Sequence, residues 1–232
     1  MKKTLWIAIV GALAASVVAA SAQEVLSANA VGYIKRTVPA NGGLEVISYA
    51  LNPMPYTGVT YFTNTSVAAE MPNLSAAFFW NPTTQRWTPA LKSGKGIWDV
   101  TAAAKQILPG EMFFLKTPAG SAAIEVTITG EVPDDATLER AVVGGNAIAA
   151  LGNPYPVDIA FTNTDVAKKA ANLSAAFFWN PTTGRWIPSL KSGKGIWDVT
   201  AAAKTIQAGE GFFLKDVNPG SVWTNVKPYT WP

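Results

Sequence analysis

The feature that most constrains the fold of this chain is a block of sequence that occurs twice. Residues 73–105 and residues 172–204 are related by a constant offset of 99 positions, and only three of the 33 aligned positions differ. The differences are Gln85/Gly184, Thr88/Ile187 and Ala90/Ser189. A repeat with a fixed period is typical of a chain built from copies of one structural unit. The repeat therefore predicts two similar modules of about 100 residues each.

The first residues have the features of an export signal. Lys2 and Lys3 precede an uncharged apolar run over residues 5–19, and Ala20-Ser21-Ala22 matches an A-x-A cleavage site. The apolar run is shorter than the ~20 residues that span a bilayer. We therefore expect a cleaved signal peptide over residues 1–22 rather than a membrane anchor. The mature chain, residues 23–232, is expected in the periplasm, on the cell surface or outside the cell.

Charge and hydropathy argue against two classes of partner. Of the 18 basic residues, two lie in the signal segment, which leaves 16 against 15 acidic residues and a net charge of +1 for the mature chain. A near-neutral surface provides no broad positive field for nucleic acid or anionic lipid. No later stretch reaches 18 consecutive apolar residues, so no transmembrane segment is expected after cleavage.

The chain contains no His and no Cys, which removes the usual parts of several catalytic sites. A Ser-His-Asp triad, a thiol nucleophile and a Cys/His zinc site cannot be built. The acids that recur in both copies are Asp99/Asp198 and Glu111/Glu210. Asp99 or Thr101 is expected to cap a short Ala-rich helix, and Glu111 is expected to begin a strand. We therefore predict that the protein is not an enzyme and uses no cofactor or metal. A carboxylate pair about 5–10 Å apart is the remaining catalytic alternative.

Short apolar segments separated by turn residues predict an all-β fold of two tandem antiparallel sandwich-like modules related by internal duplication. The predicted modules are residues 23–130 and 131–232, because Gly130–Arg140 is acidic, contains Pro and is typical of a linker. The segments 25–38 and 222–231 are candidates to add to, or swap between, the sheets as edge strands.

Each copy also contains a predicted β-hairpin. Apolar residues flank the turn-forming segment Asn81–Gln85, and the same pattern surrounds Asn180–Gly184. Gly184 stands where the first copy has Gln85, which indicates a turn position compatible with positive φ.

The second copy carries motifs with a resemblance to known modules. Gly152-Asn153-Pro154-Tyr155-Pro156 is followed by Phe178–Pro181 and then by Ala208–Leu214. This pattern resembles the "GNPYP … PGxGFF" β modules of secreted surface proteins of some Gram-negative bacteria, and residues 30–40 resemble the opening of the same tandem family. The resemblance covers most of residues 28–218 and implies an exported β module without a reaction. The first copy departs from it, because residues 50–55 lack the Gly and the Tyr, and Met112 replaces the Gly before Phe113.

The repeated tryptophans are the main candidates for a functional surface. Three readings are open for them: burial in a core, anchors in a protein interface, and platforms on which a sugar ring stacks. Trp87 follows Arg86 beside a polar loop, which favours exposure. The candidate ligand or interface residues are Trp80, Asn81, Arg86, Trp87 and Trp98, with their repeats Trp179, Asn180, Arg185, Trp186 and Trp197.

The repeated block is far better preserved between the copies than the early strands, which indicates a shared role for it. Two equal sites on one chain favour binding to a repetitive partner, and they suit head-to-tail assembly. The first hypothesis is a secreted or cell-surface structural protein that associates with itself or with another surface protein. The alternative is an extracellular carbohydrate-binding module with two equivalent aromatic sites. A flat apolar patch in both copies favours the first, and Trp87 exposed in a shallow groove favours the second.

Overall fold

The computed structural model describes residues 30–53 and 59–230. The predicted signal peptide, residues 25–29 of the first candidate edge segment and residue 231 of the second lie outside these ranges. The described chain is mostly β, with antiparallel sheets and a few short helices.

The first module is built around a four-stranded sheet of order β2-β7-β4-β5. Two-stranded ribbons, β1 with β8 and β3 with β6, accompany it. Its elements are β1 (Val31–Val38), β2 (Leu44–Ser48), β3 (Thr60–Tyr61), α1 (Ser66–Glu70), β4 (Ala76–Asn81), β5 (Arg86–Leu91), α2 (Val100–Ala104), β6 (Gln106–Ile107), β7 (Met112–Lys116) and β8 (Ile124–Glu131).

The second module repeats this pairing in the order β10-β15-β12-β13, with ribbons β9 with β16 and β11 with β14. Its elements are β9 (Thr137–Val142), β10 (Ile148–Gly152), β11 (Ile159–Ala160), α3 (Asp165–Lys169), β12 (Ala175–Asn180), β13 (Arg185–Leu190), α4 (Val199–Ala203), β14 (Thr205–Ile206), β15 (Gly211–Lys215) and β16 (Ser221–Val226).

The strand register shows which residues of the two modules are equivalent. Leu44 lies opposite Lys116, and Ile148 lies opposite Lys215. Lys116 and Lys215 are 99 positions apart, like the repeated block, whereas Leu44 and Ile148 are 104 apart. β1 and β9 follow the same larger offset. They end at Val38 and Val142, which are 104 positions apart and pair with the first residues of β8 and β16. The first two strands of each module therefore correspond at an offset of 104.

The segment predicted as a linker is largely strand. Gly130 and Glu131 end β8, and Thr137–Val142 forms β9, so residues 132–136 are the connection. The last strand of each module pairs with the first strand of the same module, so the connection is short and lies inside the segment predicted as the boundary. The two candidate edge segments behave accordingly: β1 pairs with β8, β16 pairs with β9, and neither is exchanged between the modules.

The local predictions at the hairpins and the helix cap are confirmed. Residues 82–85 of the predicted turn connect β4 to β5, and Gln85 and Gly184 both have positive φ, at 53° and 62°. Asp99 is the N-cap of α2, and its Oδ1 accepts a hydrogen bond of 3.1 Å from the Ala102 N–H.

Each module has its own core, in which one Phe is surrounded by aromatic rings. Phe62 meets Phe79, Trp98 and Phe113 edge to face, with ring centroids 5.0–5.5 Å apart. Phe161 does the same with Phe178, Trp197 and Phe212 in the second module. Edge-to-face contacts add to the stabilisation from burial alone.

A buried lysine in each module binds the C-terminal end of a short helix. The Lys92 ammonium donates hydrogen bonds to the carbonyls of Ala68, Ala69 and Met71, at 3.0, 3.3 and 2.6 Å. These carbonyls lie at the end of α1, where helix carbonyls lack partners within the helix. Burial lowers the pKa of Lys92 below its usual range. Lys191 makes the same three contacts in the second module.

Lys92→Met is expected to lower the free energy of unfolding by about 2–3 kcal/mol, because three buried carbonyls lose a charged donor that Met cannot replace. Urea unfolding followed by Trp fluorescence measures this change. Lys95→Met removes an exposed cation from the same loop, and it is expected to stay within about 0.5 kcal/mol of the parent. Equal effects of the two substitutions would show that the buried contacts do not stabilise the module.

Candidate functional site

The central sheets of the two modules meet through a shared hydrophobic cluster. Strand residues alternate between two faces, so in β4 Ala77 and Phe79 belong to the module core while Phe78 and Trp80 belong to this cluster. The cluster comprises Leu44, Val46, Phe78, Trp80, Trp87, Met112 and Phe114 of the first module, and Ile148, Ala150, Phe177, Trp179, Trp186 and Phe213 of the second.

Aromatic rings from both modules alternate in this contact. Phe213 lies 5.0 Å from Trp80 and 5.6 Å from Trp87, measured between ring centroids. Reciprocally, Phe114 lies 4.7 Å from Trp179 and 5.7 Å from Trp186. Each of these Phe rings therefore contacts both repeated hairpin tryptophans of the other module.

Hydrogen bonds across the contact also occur in equivalent pairs. The Trp80 indole N–H donates to the Ile148 carbonyl at 3.0 Å, and the Trp179 indole N–H donates to the Leu44 carbonyl at 3.2 Å. The Ser48 N–H donates to the Gly209 carbonyl at 2.8 Å, and the Gly152 N–H donates to the Gly110 carbonyl at 2.9 Å. The modules are thus related by an approximate two-fold arrangement, like the subunits of an isologous dimer.

The symmetry is broken where the two backbones approach most closely. A Cβ added at Gly152 would lie 1.8 Å from Ser48 Oγ, and one added at Gly211 would lie 2.4 Å from Met112 Cγ. Ser48 and Met112 are the equivalents of these two glycines in the first module. The side chains of one module therefore fill the space that the glycines of the other leave open.

Gln85 adds a contact that the second module lacks. Its side chain accepts a hydrogen bond of 2.7 Å from the Ile148 N–H and donates one of 3.2 Å to the Ile148 carbonyl. Gly184, its equivalent, has no side chain to make this pair. The Gln85/Gly184 difference therefore also distinguishes the two sides of the contact.

The ten residues predicted as a ligand or interface site are not brought together in one place. Trp80, Trp87, Trp179 and Trp186 lie between the modules, whereas Trp98 and Trp197 lie in the separate module cores. Arg86 and Arg185 are exposed on the hairpins. The side-chain oxygen of Asn81 accepts hydrogen bonds from Thr83 and Thr84, and Asn180 repeats this, so both shape the hairpin loop. A ligand-binding role for the ten residues stays a prediction.

The repeated acids have structural partners. Asp99 accepts hydrogen bonds from the Leu91 and Ala102 N–H groups, and Glu111 is ion-paired with Lys105 while accepting from the Leu108 N–H. Burial acts to raise the pKa of the Asp198 carboxyl, but hydrogen bonds from Ser189 and from the backbone outweigh it and lower this pKa below its usual range. Within the described part of the chain, no acidic side chains form a group suited to a metal ion.

A set of exposed apolar residues, here called the apolar patch, occurs in both modules and is not among the predicted site residues. Its four residues are Leu74, Leu91, Ile97 and Val100, which are 67, 58, 67 and 83% exposed. Their repeats are 69, 58, 67 and 84% exposed: Leu173, Leu190, Ile196 and Val199. All eight residues belong to the repeated block. The turn residues that are identical in both copies are therefore the sequence feature that could have indicated the patch.

The backbone around the patch is held by hydrogen bonds. The Leu74 N–H donates to the Lys92 carbonyl, the Asp99 N–H donates to the Leu91 carbonyl, and the Ile97 N–H donates to Ser93 Oγ. Leu74 has a φ of 66°, and Leu173 has a φ of 68°. A left-handed conformation costs a non-glycine residue about 1–2 kcal/mol. Both modules therefore keep an exposed Leu where Gly or Asn would be less strained.

No helix within residues 30–53 and 59–230 has the length and apolar character needed to cross a membrane. The chain matches no protein-family model, and comparisons with curated proteins and with solved structures found no match.

Gly152→Ser is expected to lower the free energy of unfolding by about 1–3 kcal/mol, because the new side chain overlaps Ser48. Exchanging the two residues, with Ser48→Gly and Gly152→Ser together, is expected to recover a large part of this loss. A double-mutant cycle in chemical denaturation measures the coupling.

Gly193→Ser is the matched control, since a Cβ at Gly193 meets nothing within 4 Å. It is expected to change stability by less than about 0.5 kcal/mol. Additive effects of Ser48→Gly and Gly152→Ser would show that the two positions do not share one space.

Proposed function

We propose that this protein is an exported, non-catalytic structural protein that assembles with copies of itself through its two apolar patches. In this proposal the chain arose by internal duplication and folds as two sandwich-like modules. The observation that carries the proposal is the recurrence of the same four exposed apolar side chains in both modules.

The patch has properties that its own module does not require. Its four side chains contribute little burial, and Leu74 and Leu173 hold a strained backbone. Exposed groups of apolar residues are typical of interaction surfaces, and strained residues persist where surrounding structure or function retains them. A binding role explains why both features occur twice.

A second copy of the chain is the occupant we favour. The mature chain carries a net charge of only +1, so copies meet with little overall repulsion. Addition of a strand at the β5 and β13 edges is disfavoured, because these strands contain Pro89 and Pro188. The exposed side chains of both patches can still contact a second copy. Patch-to-patch contact at both sites of each chain would extend into a linear assembly.

The carbohydrate-binding alternative depended on Trp87 and Trp186 offering free ring faces. In the structure both rings contact Phe rings of their own and of the opposite module. No observation in the described chain favours sugar stacking at these residues, and the alternative stays a prediction.

Light scattering on residues 23–232 over a concentration series tests the assembly. The parent chain is expected to grow beyond dimers as concentration rises. Replacing Ile97 and Val100 with Lys is expected to stop growth at dimers, because one functional patch remains on each chain. Replacing Ile196 and Val199 as well is expected to leave monomers.

Tyr33→Lys is the control, because Tyr33 is equally exposed on β1 but lies outside the repeated block. It is expected to assemble like the parent. A parent chain that stays monomeric at every concentration would overturn self-assembly, and growth that survives loss of both patches would overturn their role in it.

A further inference from the structure

Two clefts lie between the modules, and eight positions of their linings are equivalent. Cleft A is defined by Arg36, Glu45, Trp179, Lys204 and Glu210, and it encloses about 210 Å³. Cleft B is defined by the equivalents of these residues, and it encloses about 520 Å³; they are Arg140, Ala149, Trp80, Lys105 and Glu111.

The clefts differ in the residue beside the arginine. Glu45 lies opposite Leu115 in its sheet, and Ala149 lies opposite Leu214, the repeat of Leu115. Ala149 therefore occupies the position of Glu45. One cleft has a carboxylate at this position and the other has only a methyl group.

In cleft A the arginine is neutralised by the chain itself. Arg36 forms an ion pair with Glu45 through Nη2, and its Nη1 donates to Gln207 Oε1 at 3.0 Å. Glu45 is only 3% exposed. Burial raises the pKa of the Glu45 carboxyl, whereas the nearby Arg36 charge acts to lower it. The pair shows that a carboxylate fits beside the arginine at this position of the fold.

In cleft B the arginine has no such partner among the described residues. Arg140 donates one hydrogen bond, from Nη1 to the Pro109 carbonyl at 3.1 Å. Glu111 also lines the cleft and its charge acts on Arg140, but it forms no ion pair with Arg140 and is paired with Lys105 instead. Glu139 is exposed and lies on the lining of the cleft. The remaining guanidinium donors of Arg140 are therefore available to a ligand.

We propose that cleft B binds a small organic carboxylate, whose carboxylate group pairs with Arg140 as Glu45 pairs with Arg36. The apolar part of the ligand would lie against the apolar lining of the cleft, which includes Trp80, Leu108, Pro109, Met112 and Leu138.

The size and chemistry of the cleft suit this class of ligand. Its volume lies within the range of about 300–1,000 Å³ that is usual for small-molecule sites, which are mostly apolar with a few polar groups. The planar guanidinium of Arg can hold a carboxylate through two parallel hydrogen bonds. The lining contains none of the eight patch residues, so this site does not depend on the proposed assembly.

Isothermal titration of the mature chain with 3-phenylpropionate tests the proposal, with 3-phenylpropanamide as the uncharged control ligand. One acid is expected to bind per chain, and the amide is expected to bind at least about 10-fold more weakly, because it lacks the charge that pairs with Arg140. Hexanoate provides a second acid of different shape. Failure of both acids to bind up to about 10 mM would overturn the proposal.

Two substitutions, one in each cleft, exchange the Glu45/Ala149 difference between the clefts. Ala149→Glu supplies an internal partner for Arg140 and is expected to abolish binding, whereas Ala202→Glu adds the same charge on the exposed surface of α4 and is expected to leave it unchanged. Glu45→Ala opens cleft A and is expected to raise the stoichiometry from one acid to two. Thermal unfolding shows whether each variant is folded.

Binding that survives Ala149→Glu would place the acid elsewhere and overturn the site. A folded Glu45→Ala chain that still binds one acid would overturn the equivalence of the clefts. If Glu45→Ala does not fold, the comparison of Ala149→Glu with Ala202→Glu decides the proposal.

Discussion

The contact between the two central sheets is the constraint on which the rest of this structure depends. Each sheet has one apolar face toward its own core and a second apolar face that carries Trp80, Trp87 and Phe114, or their repeats. A module by itself would leave the second face in water, which is unfavourable for so large an aromatic surface. The modules therefore depend on each other, although no strand of one pairs with a strand of the other in the described chain.

This contact also explains why the copies preserve some regions and not others. The hairpin tryptophans meet equivalent surroundings on both sides, so the same residues serve in both modules. Near the approximate two-fold axis a residue meets its own equivalent, and two identical large side chains would overlap there. The pairs Ser48/Gly152 and Met112/Gly211 resolve this conflict by placing a side chain on one side and none on the other. The Ser48/Gly152 difference between β2 and β10 therefore follows from docking, whereas the Glu45/Ala149 difference lies on the opposite face of the same strands.

The features that point outward are separate from this contact. The hairpin tryptophans, the richest aromatic signal in the chain, hold the modules together, whereas the exposed patches consist of aliphatic residues on turns and strand ends. Aromatic content by itself thus does not indicate which apolar residues of this chain are exposed. What distinguishes the patches is their combination of exposure, repetition and an unfavourable left-handed Leu in each copy.

The sequence by itself determined the local structure: the repeat, the antiparallel hairpins, the Asp99 cap and the positive φ shared by Gln85 and Gly184. These features depend on residues close together in the chain, where turn and capping preferences act directly. The location of the tryptophans was decided only by tertiary structure. Alternation tells which residues share a face of a strand, but it does not tell what covers an apolar face. The equivalence of Arg36 with Arg140, and of Glu45 with Ala149, likewise needed the strand register, because the offset between the modules changes from 99 to 104.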